Sequence, residues 1–286
     1  MSARRWFAVA SSSALVGCTL LVAIDEDALT GGGPRSDGGA ERDVVGPTSP
    51  PSDATDTSAP PPEVHPYVRA VLEDAPVFYL RFGEPPPADA TAPQVKEEIS
   101  GETIGTRSDT IRSAAGPLPD DPAIELAGGR LVLGDRLGFS ARAALSIEMW
   151  LRATEAATFG HVVTKQRRPQ ANKTGYAVYF DDDVVAFERY AAGDGIGVVG
   201  PFSVGAPFRH VVATYDGSRM RLYLDGVVTE DKLDTRPMEV VPEPFVIGAA
   251  SPTANGNVFR GVLDELALYD KALTAERISA HVTAAK

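Results

Sequence analysis

The chain has 286 residues, a formal net charge of −12 and an isoelectric point near 4.8. A surface this acidic repels phosphate backbones, so the composition argues against nucleic-acid binding. The single cysteine excludes an intramolecular disulfide, and the four scattered histidines form neither the His-x-x-x-His nor the Glu-x-x-His pairs that zinc sites use. A fold of this chain must therefore be stabilised by a sizeable hydrophobic core.

The N-terminal segment has the layout of a membrane-targeting signal. Arg4-Arg5 precede an apolar run, and Leu15-Val16-Gly17-Cys18 contains the only cysteine of the chain. This arrangement resembles a bacterial lipoprotein signal, in which a basic region, an apolar region and small residues precede a cysteine that becomes acylated. We expect residues 1–24 to be the signal peptide and anchor, with the mature chain starting at a lipidated Cys18. The alternative is an uncleaved anchor over residues 6–24, since about 19 apolar residues approach the length that spans a bilayer.

Both interpretations place the rest of the chain outside the cytoplasm. Thr19, and not aspartate, follows the cysteine, which resembles the sorting signal for an outer-membrane destination. We therefore predict a lipid-anchored protein of the bacterial cell envelope, at the outer membrane and facing either the periplasm or the cell surface.

Residues 25–64 have no periodic apolar pattern and are rich in Pro, Gly, Ser and Asp. Such a segment cannot bury enough apolar surface to offset the entropy of an ordered chain. We predict a disordered linker that holds the following domain away from the membrane.

Residues 65–286 carry the signals of one folded domain built mainly of strands. Apolar residues at 67, 68, 71 and 72 have helical spacing, and residues 76–82 predict the first strand. Apolar and polar residues alternate along residues 145–152, which is typical of a half-buried strand. Two further strands flank Asp181-Asp182-Asp183, and we interpret these three carboxylates as a solvated hairpin turn in preference to a metal site.

The C-terminal part adds an antiparallel meander. Asp216-Gly217 and Asp225-Gly226 lie between three consecutive predicted strands. Because Asp-Gly readily adopts the positive φ of tight hairpins, both pairs predict hairpin turns. Residues 260–269 predict the last strand, and a short helix follows with Thr274 as its N-cap. Many short strands, Gly- and Asp-marked turns and little helix predict an all-β fold, either a β-sandwich or a jelly roll.

Four blocks of this domain occur in a recognisable order. They are A-P-V-F-Y-L-R-F-G-E at residues 75–84, L-S-I-E-M-W-L-R at 145–152, F-R-H-V-V-A-T-Y-D-G with R-L-Y-L-D-G at 208–226, and I-G with F-R-G-V-L-D-E-L-A-L-Y-D-K-A-L-T at 247–274. The ordered set resembles the laminin-G-like, concanavalin A-like jelly-roll family of bacterial surface proteins. Leu80 and Phe208 stand where its members usually have tryptophan. The resemblance implies a concanavalin A-like jelly-roll β-sandwich of antiparallel strands and, in some members, a structural Ca²⁺ near the last strand.

Asp264 is the candidate metal ligand. Strict alternation along the last strand puts Asp264 on one face with the apolar residues 262, 266 and 268, and the adjacent Glu265 on the other. A carboxylate that faces the core needs donors or a cation. Asp264 either accepts backbone N–H bonds or pairs with an arginine, or, as the resemblance implies, ligates Ca²⁺, which prefers carboxylate and carbonyl oxygens. For Glu148, beside Trp150, we favour a buried hydrogen-bonded role over catalysis.

The sequence contains no recognisable catalytic set. The Glu-x-Asp-x-(x)-Glu pattern that retaining glycoside hydrolases of this fold carry on one strand is missing, as are a Gly-x-Ser-x-Gly elbow and a cysteine nucleophile. We predict a non-catalytic binding or adhesion module, with carbohydrate as the expected ligand class. The alternatives are a glycan-degrading hydrolase or lyase with an unrecognised site, and a structural envelope lipoprotein that docks another protein.

Ligand contacts are harder to assign to particular residues. Tyr179, Tyr190 and Phe202 are candidates for a sugar platform, although strand aromatics of this kind more often belong to the core. The polar and basic loop at residues 166–173 is a candidate contact for an anionic glycan or a partner protein, with a solvated loop as the simpler interpretation. The expected partners are a membrane, through the lipid anchor, and a glycan or an envelope or surface protein.

Overall fold

The computed structural model describes residues 64–84, 94–106, 111–154, 159–167, 173–254 and 256–286. All of them fall within one unit, Ala59–Lys286. Cys18, the expected signal and the expected linker up to residue 63 lie outside the described residues. Neither helix in the described part is long and apolar enough to cross a bilayer.

The described chain consists of strands with one helix near each end. In chain order the elements are α1 (Pro66–Glu73), β1 (Phe78–Leu80), β2 (Gln94–Lys96), β3 (Thr103–Thr106), β4 (Ile111–Ala115), β5 (Pro122–Ala127), β6 (Leu131–Val132), β7 (Leu145–Ala153), β8 (Gly160–Arg167), β9 (Thr174–Asp181), β10 (Val184–Ala191), β11 (Asp194–Pro201), β12 (Arg209–Tyr215), β13 (Arg219–Leu224), β14 (Val227–Leu233), β15 (Val246–Ile247), β16 (Arg260–Tyr269) and α2 (Ala275–Ala284).

Two antiparallel sheets form a sandwich. The eight-stranded sheet has the order β14-β13-β12-β7-β16-β5-β4, and β1 also pairs with β16. The six-stranded sheet has the order β11-β10-β9-β8-β15-β6, and β2 and β3 form a separate ribbon. The sequence prediction of an all-β sandwich of antiparallel strands with a C-terminal helix is confirmed.

The turns form where the sequence predicts them. The side chain of Asp216 accepts hydrogen bonds from the backbone N–H groups of Ser218 and Arg219 at 2.9 and 2.8 Å, which fixes the turn between β12 and β13. In the next turn Asp225 and Gly226 both have positive φ, at 50° and 84°. The three aspartates at residues 181–183 are exposed at the β9–β10 turn, as expected of a solvated hairpin.

Alternating side chains fill the space between the sheets. From β7 come Leu145, Ile147, Met149 and Leu151, and from β9 come Tyr176, Val178 and Phe180, all at most 2% exposed. Each fully buried side chain of this size contributes roughly 1.5–3 kcal/mol of hydrophobic stabilisation. This layer holds the two sheets in a fixed register without a disulfide.

The two helices cover the outer face of the eight-stranded sheet. Tyr67 and Val71 of α1 and Ile278 of α2 pack with Tyr223 of β13 and Tyr269 of β16 in a second apolar cluster. The helix α2 begins where the sequence predicts, because the Thr274 hydroxyl accepts a hydrogen bond from the backbone N–H of Arg277 at 3.3 Å. These contacts leave the six-stranded sheet as the one whose outer face carries no helix in the described part of the chain.

Candidate functional site

A buried polar cluster lies beneath the helices and is centred on Glu148 of β7. Its carboxylate accepts hydrogen bonds from the hydroxyls of Tyr67 and Tyr269, at 3.0 and 2.7 Å. His210 Nε2 lies 2.7 Å and His281 Nδ1 lies 2.9 Å from Oε1 of the same carboxylate. All five side chains, here called the Glu148 cluster, are completely buried. The expectation that Glu148 is buried and hydrogen-bonded is confirmed.

The charges of the Glu148 cluster are matched internally. Burial works to raise the pKa of Glu148, but hydrogen bonds from His210 and His281 outweigh it and hold that pKa well below its usual range. Burial works to lower the pKa of His281, but Glu148 and the nearby carboxylate of Asp74 outweigh it and raise that pKa. Carboxylate and imidazole thus stabilise each other's charged forms, so the cluster fastens the helices to β7.

A second polar group, the acidic cluster, consists of Asp121, Asp264, Glu265, Arg81 and Tyr79. Tyr79 donates a hydrogen bond from its hydroxyl to Glu265, and Arg81 Nε lies 3.3 Å from Oε1 of the same carboxylate. Arg81 also pairs with Asp121. One guanidinium therefore serves two of the three carboxylates.

The expectation that Asp264 and Glu265 point to opposite faces is wrong. The pairing of β16 with β7 shifts between Asp264 and Ala267, and Glu265 has a φ of 53°. This β-bulge resets the alternation, so Leu263 and Leu266 both enter the core between the sheets. Both acidic side chains consequently contribute to the same cluster.

Asp264 has no side-chain partner in the acidic cluster. It is completely buried, and neither carboxylate oxygen accepts a hydrogen bond from a side chain of the described residues. Burial and the charges of Glu265 and Asp121 raise the pKa of Asp264 well above its usual value, and they outweigh the backbone N–H of Glu265 and the charge of Arg81, which lower it. A buried carboxylate in this state needs a proton or a cation.

The surroundings of Asp264 fit a calcium ion in their chemistry. A side-chain carbon placed on Gly116 would lie 2.4 Å from the backbone carbonyl oxygen of Asp121 and 2.7 Å from Oδ2 of Asp264, so Gly116 keeps a space open between two oxygen atoms. Oxygen ligands of this kind suit Ca²⁺. The described residues contain no group of three or more His, Cys, Asp or Glu side chains placed to hold a metal, so backbone carbonyls would have to complete the ligand set.

The outer face of the six-stranded sheet, here called the binding face, presents a mixed polar and aromatic surface. The register places His161 of β8 beside Tyr179 of β9, and Glu188 and Tyr190 of β10 also point outward because Phe187 enters the core. The ring of Phe159 lies 5.0 Å from that of His161 and 4.9 Å from that of Tyr179, measured between centroids. Burial, Glu188 and Asp181 raise the pKa of Tyr179 to about 12, so its hydroxyl keeps its proton at neutral pH.

The three aromatic candidates have different locations. Tyr179 and Tyr190 are half-buried on the binding face, and Lys173 Nζ lies 3.4 Å from the centre of the Tyr190 ring. Phe202 is 1% exposed and packs edge-to-face on Phe180 in the core, so a role for Phe202 as a sugar platform is wrong. The candidate loop at residues 166–173 is described only at its two ends.

Sequence reasoning missed Arg81 and Asp121. Asp121 follows β4 and Arg81 follows β1, and they meet Glu265 only because β5 and β1 pair in succession along one edge of β16, with β7 on its other edge. No local pattern in the sequence indicates that Arg81 contacts Asp121, which is 40 positions away, or Glu265, which is 184 positions away. The signal available was the burial of Asp264 itself, which required some polar neighbour.

Comparisons with known proteins agree with this architecture. A profile of the concanavalin A-like lectin/glucanases superfamily, Laminin_G_3, matches residues 127–279. No curated protein matches the chain. Among solved structures, the binding domain of Paraclostridial mosquitocidal protein 1 is 16% identical with a TM-score of 0.58, over 74% of this chain and 52% of that one.

Two similar structures are complexes with sugars. Domain 4 of AbnA, an extracellular arabinanase of Geobacillus stearothermophilus, in complex with arabinotriose, is 16% identical with a TM-score of 0.55, over 74% of this chain and 98% of that one. The ligand-binding domain of botulinum neurotoxin serotype D with N-acetylneuraminic acid is 12% identical with a TM-score of 0.52, over 75% and 52%. The chain thus spans about half the length of the toxin binding domains. Because the profile covers more than half of the chain, the chain belongs to the concanavalin A-like lectin/glucanases superfamily.

Proposed function

We propose that this protein is an extracytoplasmic lipoprotein, anchored through Cys18, whose folded domain is a non-catalytic glycan-binding module. The observation that carries the binding role is the binding face, where half-buried Tyr179 and Tyr190 stand beside Glu188 and Lys173. Aromatic faces next to polar groups suit the apolar and hydroxylated sides of a sugar. The arabinotriose and N-acetylneuraminic acid complexes of similar domains add support.

The placement of the acidic residues favours binding over hydrolysis. Glycoside hydrolysis needs two carboxylates about 5–10 Å apart that reach the substrate. Glu148, Asp264 and Glu265 are completely buried, whereas Asp121 lines a cavity of about 540 Å³ together with Arg81. The carboxylates in the described part of this cavity wall are Asp120 and Asp121, which are consecutive in the chain. Asp121 is paired with Arg81.

We further propose that Ca²⁺ binds at Asp264 and supports the module structurally. The ion would take the Asp264 carboxylate and the Asp121 backbone carbonyl as ligands and supply the positive charge that Asp264 lacks. Arg81 would continue to hold Asp121 and Glu265. The ion would have no part in a reaction.

A glycan array probed with the full-length chain, with and without EDTA, tests the binding role. We expect retention of one class of glycan and no release of reducing sugar from the bound class. Tyr179→Ala should weaken binding about tenfold through the loss of ring contact. Phe208→Ala is the matched control, because Phe208 is also half-buried but packs under Arg152, away from the binding face. Failure to retain any glycan, or turnover of the bound glycan, would contradict the proposal.

Anchoring is tested separately in cells. Metabolic labelling with an alkyne fatty acid should mark the wild-type chain, and Cys18→Ser should abolish the label and release the protein from the membrane fraction. A Cys18→Ser protein that is still processed and membrane-bound would show that the N-terminal segment is not a lipoprotein signal.

A further inference from the structure

A small cavity opens at one edge of the binding face, where β15 lies beside β8. Thr164 and Gln166 of β8 line it together with Val246 of β15, which pairs with Thr164 in the sheet. Ser251 and Thr253, from the loop after β15, complete its described polar wall. The cavity has a volume of about 200 Å³ and is here called the rim pocket.

The rim pocket contains polar atoms that nothing in the described chain satisfies. Thr164 is 2% and Gln166 is 5% exposed. The hydroxyl oxygen of Thr164 and both the oxygen and the nitrogen of the Gln166 amide have no hydrogen-bond partner among the described residues. Buried polar groups are nearly always hydrogen-bonded, because leaving one unpaired costs about 1–3 kcal/mol. Three such atoms in one cavity indicate that something polar completes it.

Two interactions hold the walls of the rim pocket in place. Arg130 donates hydrogen bonds from Nη1 to the backbone oxygens of Ser251 and Pro252, at 3.4 and 3.1 Å, which ties the loop to the sheet. At Glu243, another lining residue, the buried Lys165 donates from Nζ to the backbone oxygen at 2.5 Å. A cavity with fixed walls loses little entropy when it is filled.

Size and charge define the class of occupant. A volume of about 200 Å³ is smaller than the roughly 300–1,000 Å³ of drug-sized sites and suits one sugar ring. The Gln166 amide offers a donor and an acceptor, and three hydroxyls are close by, which matches vicinal hydroxyl groups. None of the described lining residues is basic, and Glu243 is among them. An anionic sugar would therefore meet like charge in a chain of net charge −12.

We propose that the rim pocket is the subsite that receives one neutral monosaccharide unit of a bound glycan, with Gln166 and Thr164 as the residues that hydrogen-bond its hydroxyls. This inference rests on the proposed glycan-binding function and names its site and ligand class.

The test uses methyl glycosides of glucose, galactose and arabinose, with N-acetylneuraminic acid as the anionic comparison. Each probe is titrated into the ¹⁵N-labelled full-length chain, and the Gln166 side-chain amide signal is assigned by its loss in Gln166→Leu. One neutral glycoside should shift this signal, and N-acetylneuraminic acid should not. Gln166→Leu and Thr164→Val should each weaken binding of that glycoside about tenfold, the value expected for one or two hydrogen bonds.

Control variants separate binding from folding. Thr214→Val changes an equally buried threonine on β12 of the other sheet and should leave glycoside affinity unchanged. Gln166→Leu and Thr164→Val should melt at or above the wild-type temperature, because each removes an unsatisfied polar group. A merely structural role for these residues predicts lower melting temperatures.

The outcomes distinguish the pocket from the general function. If the glycan array retains a glycan whose affinity is the same in Gln166→Leu and Thr164→Val, the rim pocket is not the subsite, while the glycan-binding function stands. If the wild-type chain retains no glycan and no glycoside moves the Gln166 signal, both proposals are overturned. A shift caused by N-acetylneuraminic acid alone would overturn the neutral-sugar assignment.

Discussion

The outer faces of the two sheets differ in whether their buried polar side chains have hydrogen-bond partners. On the helix-covered face, both oxygens of Glu148 have donors, and the Ser146 hydroxyl both donates to Lys271 and accepts from Leu273. On the binding face, the polar atoms of Thr164 and Gln166 have no partner in the described part of the chain. Buried polar groups that are hydrogen-bonded within the protein stabilise the fold. Buried polar groups without such a partner remain available to hydrogen-bond a ligand.

The contrast is not absolute. On the helix-covered side, Trp150 Nε1 and His210 Nδ1 also have no hydrogen-bond partner among the described residues. These are isolated ring nitrogens, while Thr164 and Gln166 line a common cavity with Ser251. The convergence of several unmatched atoms on one space, and not their number, is what indicates a ligand site.

Removing Glu148, the centre of the polar cluster on the helix-covered face, should have the largest effect on the free energy of unfolding. Glu148→Ala would leave two imidazoles and two tyrosine hydroxyls without their buried partner, so we expect a loss of about 3–5 kcal/mol in the free energy of unfolding, measured by urea denaturation. Glu98→Ala, at an exposed position, is the control and should change it by less than about 0.5 kcal/mol. A Glu148→Ala protein as stable as the control would show that the cluster does not fasten the helices.

Asp264 is a buried carboxyl group without a side-chain partner on the helix-covered sheet, and we expect Ca²⁺ to supply the missing positive charge. At about 100 times its dissociation constant, Ca²⁺ should stabilise the EDTA-treated chain by about 2.7 kcal/mol, seen as a rise in melting temperature. Asp264→Asn should abolish that rise, whereas Asp182→Asn, in the exposed β9–β10 turn, should retain it. No rise in the wild-type chain, or an equal rise in Asp264→Asn, would exclude calcium at this position.

Removing a hydroxyl group should change the free energy of unfolding differently on the two faces. Ser146→Ala breaks two hydrogen bonds of 2.8 Å and should lower the free energy of unfolding by about 1–2 kcal/mol. Thr164→Val removes an unmatched hydroxyl and should leave that free energy unchanged or higher. Chemical denaturation of both variants gives the comparison directly. Equal destabilisation by the two changes would remove the distinction between the faces.

The smallest expected effect is a pH dependence from His281. Its pKa is raised above the ordinary value of 6.5, with Glu148 and Asp74 facing it and Arg277 opposing them. A raised pKa in the folded state means that its stabilisation is complete below about pH 6.5 and is lost as the pH rises through the raised value. The urea midpoint should therefore fall between pH 6 and pH 9.

Glu265, with a pKa of about 8, acts in the same direction, so the wild-type slope alone does not identify His281. The measurement is the difference between the wild-type chain and His281→Gln, whose midpoint should fall less steeply over the same range. Identical slopes would mean that His281 does not carry the charge assigned to it.

Local patterns were sufficient for much of the fold. The Asp-Gly turns, the last strand at residues 260–269 and the Thr274 cap all follow from backbone preferences that act over a few residues. The failures share one cause, which is dependence on distant packing. The bulge at Glu265 puts a non-glycine residue at positive φ with no local signal, and the burial of Phe202 depends on the position of Phe180.

The candidate sites were predicted only in part for the same reason. Asp264 could be singled out because a carboxylate in an apolar strand conflicts with its surroundings. Thr164 could not, since polar residues are ordinary in an outward-facing strand position, and Gln166 was singled out only as part of the loop at residues 166–173, whereas it lies in β8. They become unusual only when β15 and its following loop enclose them, and that arrangement depends on residues about 80 positions further along the chain.

The fastening of the first helix to the last has a mechanical consequence. Asp74, at the end of α1, accepts a hydrogen bond from Arg277 Nε at 2.8 Å, and Tyr67 joins α1 to Glu148 on β7. Tension that enters the domain through residue 64 is thus shared between both helices and the middle strands of the eight-stranded sheet. Detaching α1 therefore requires breaking contacts with α2 and with β7 in the interior of the eight-stranded sheet, and not with an edge strand.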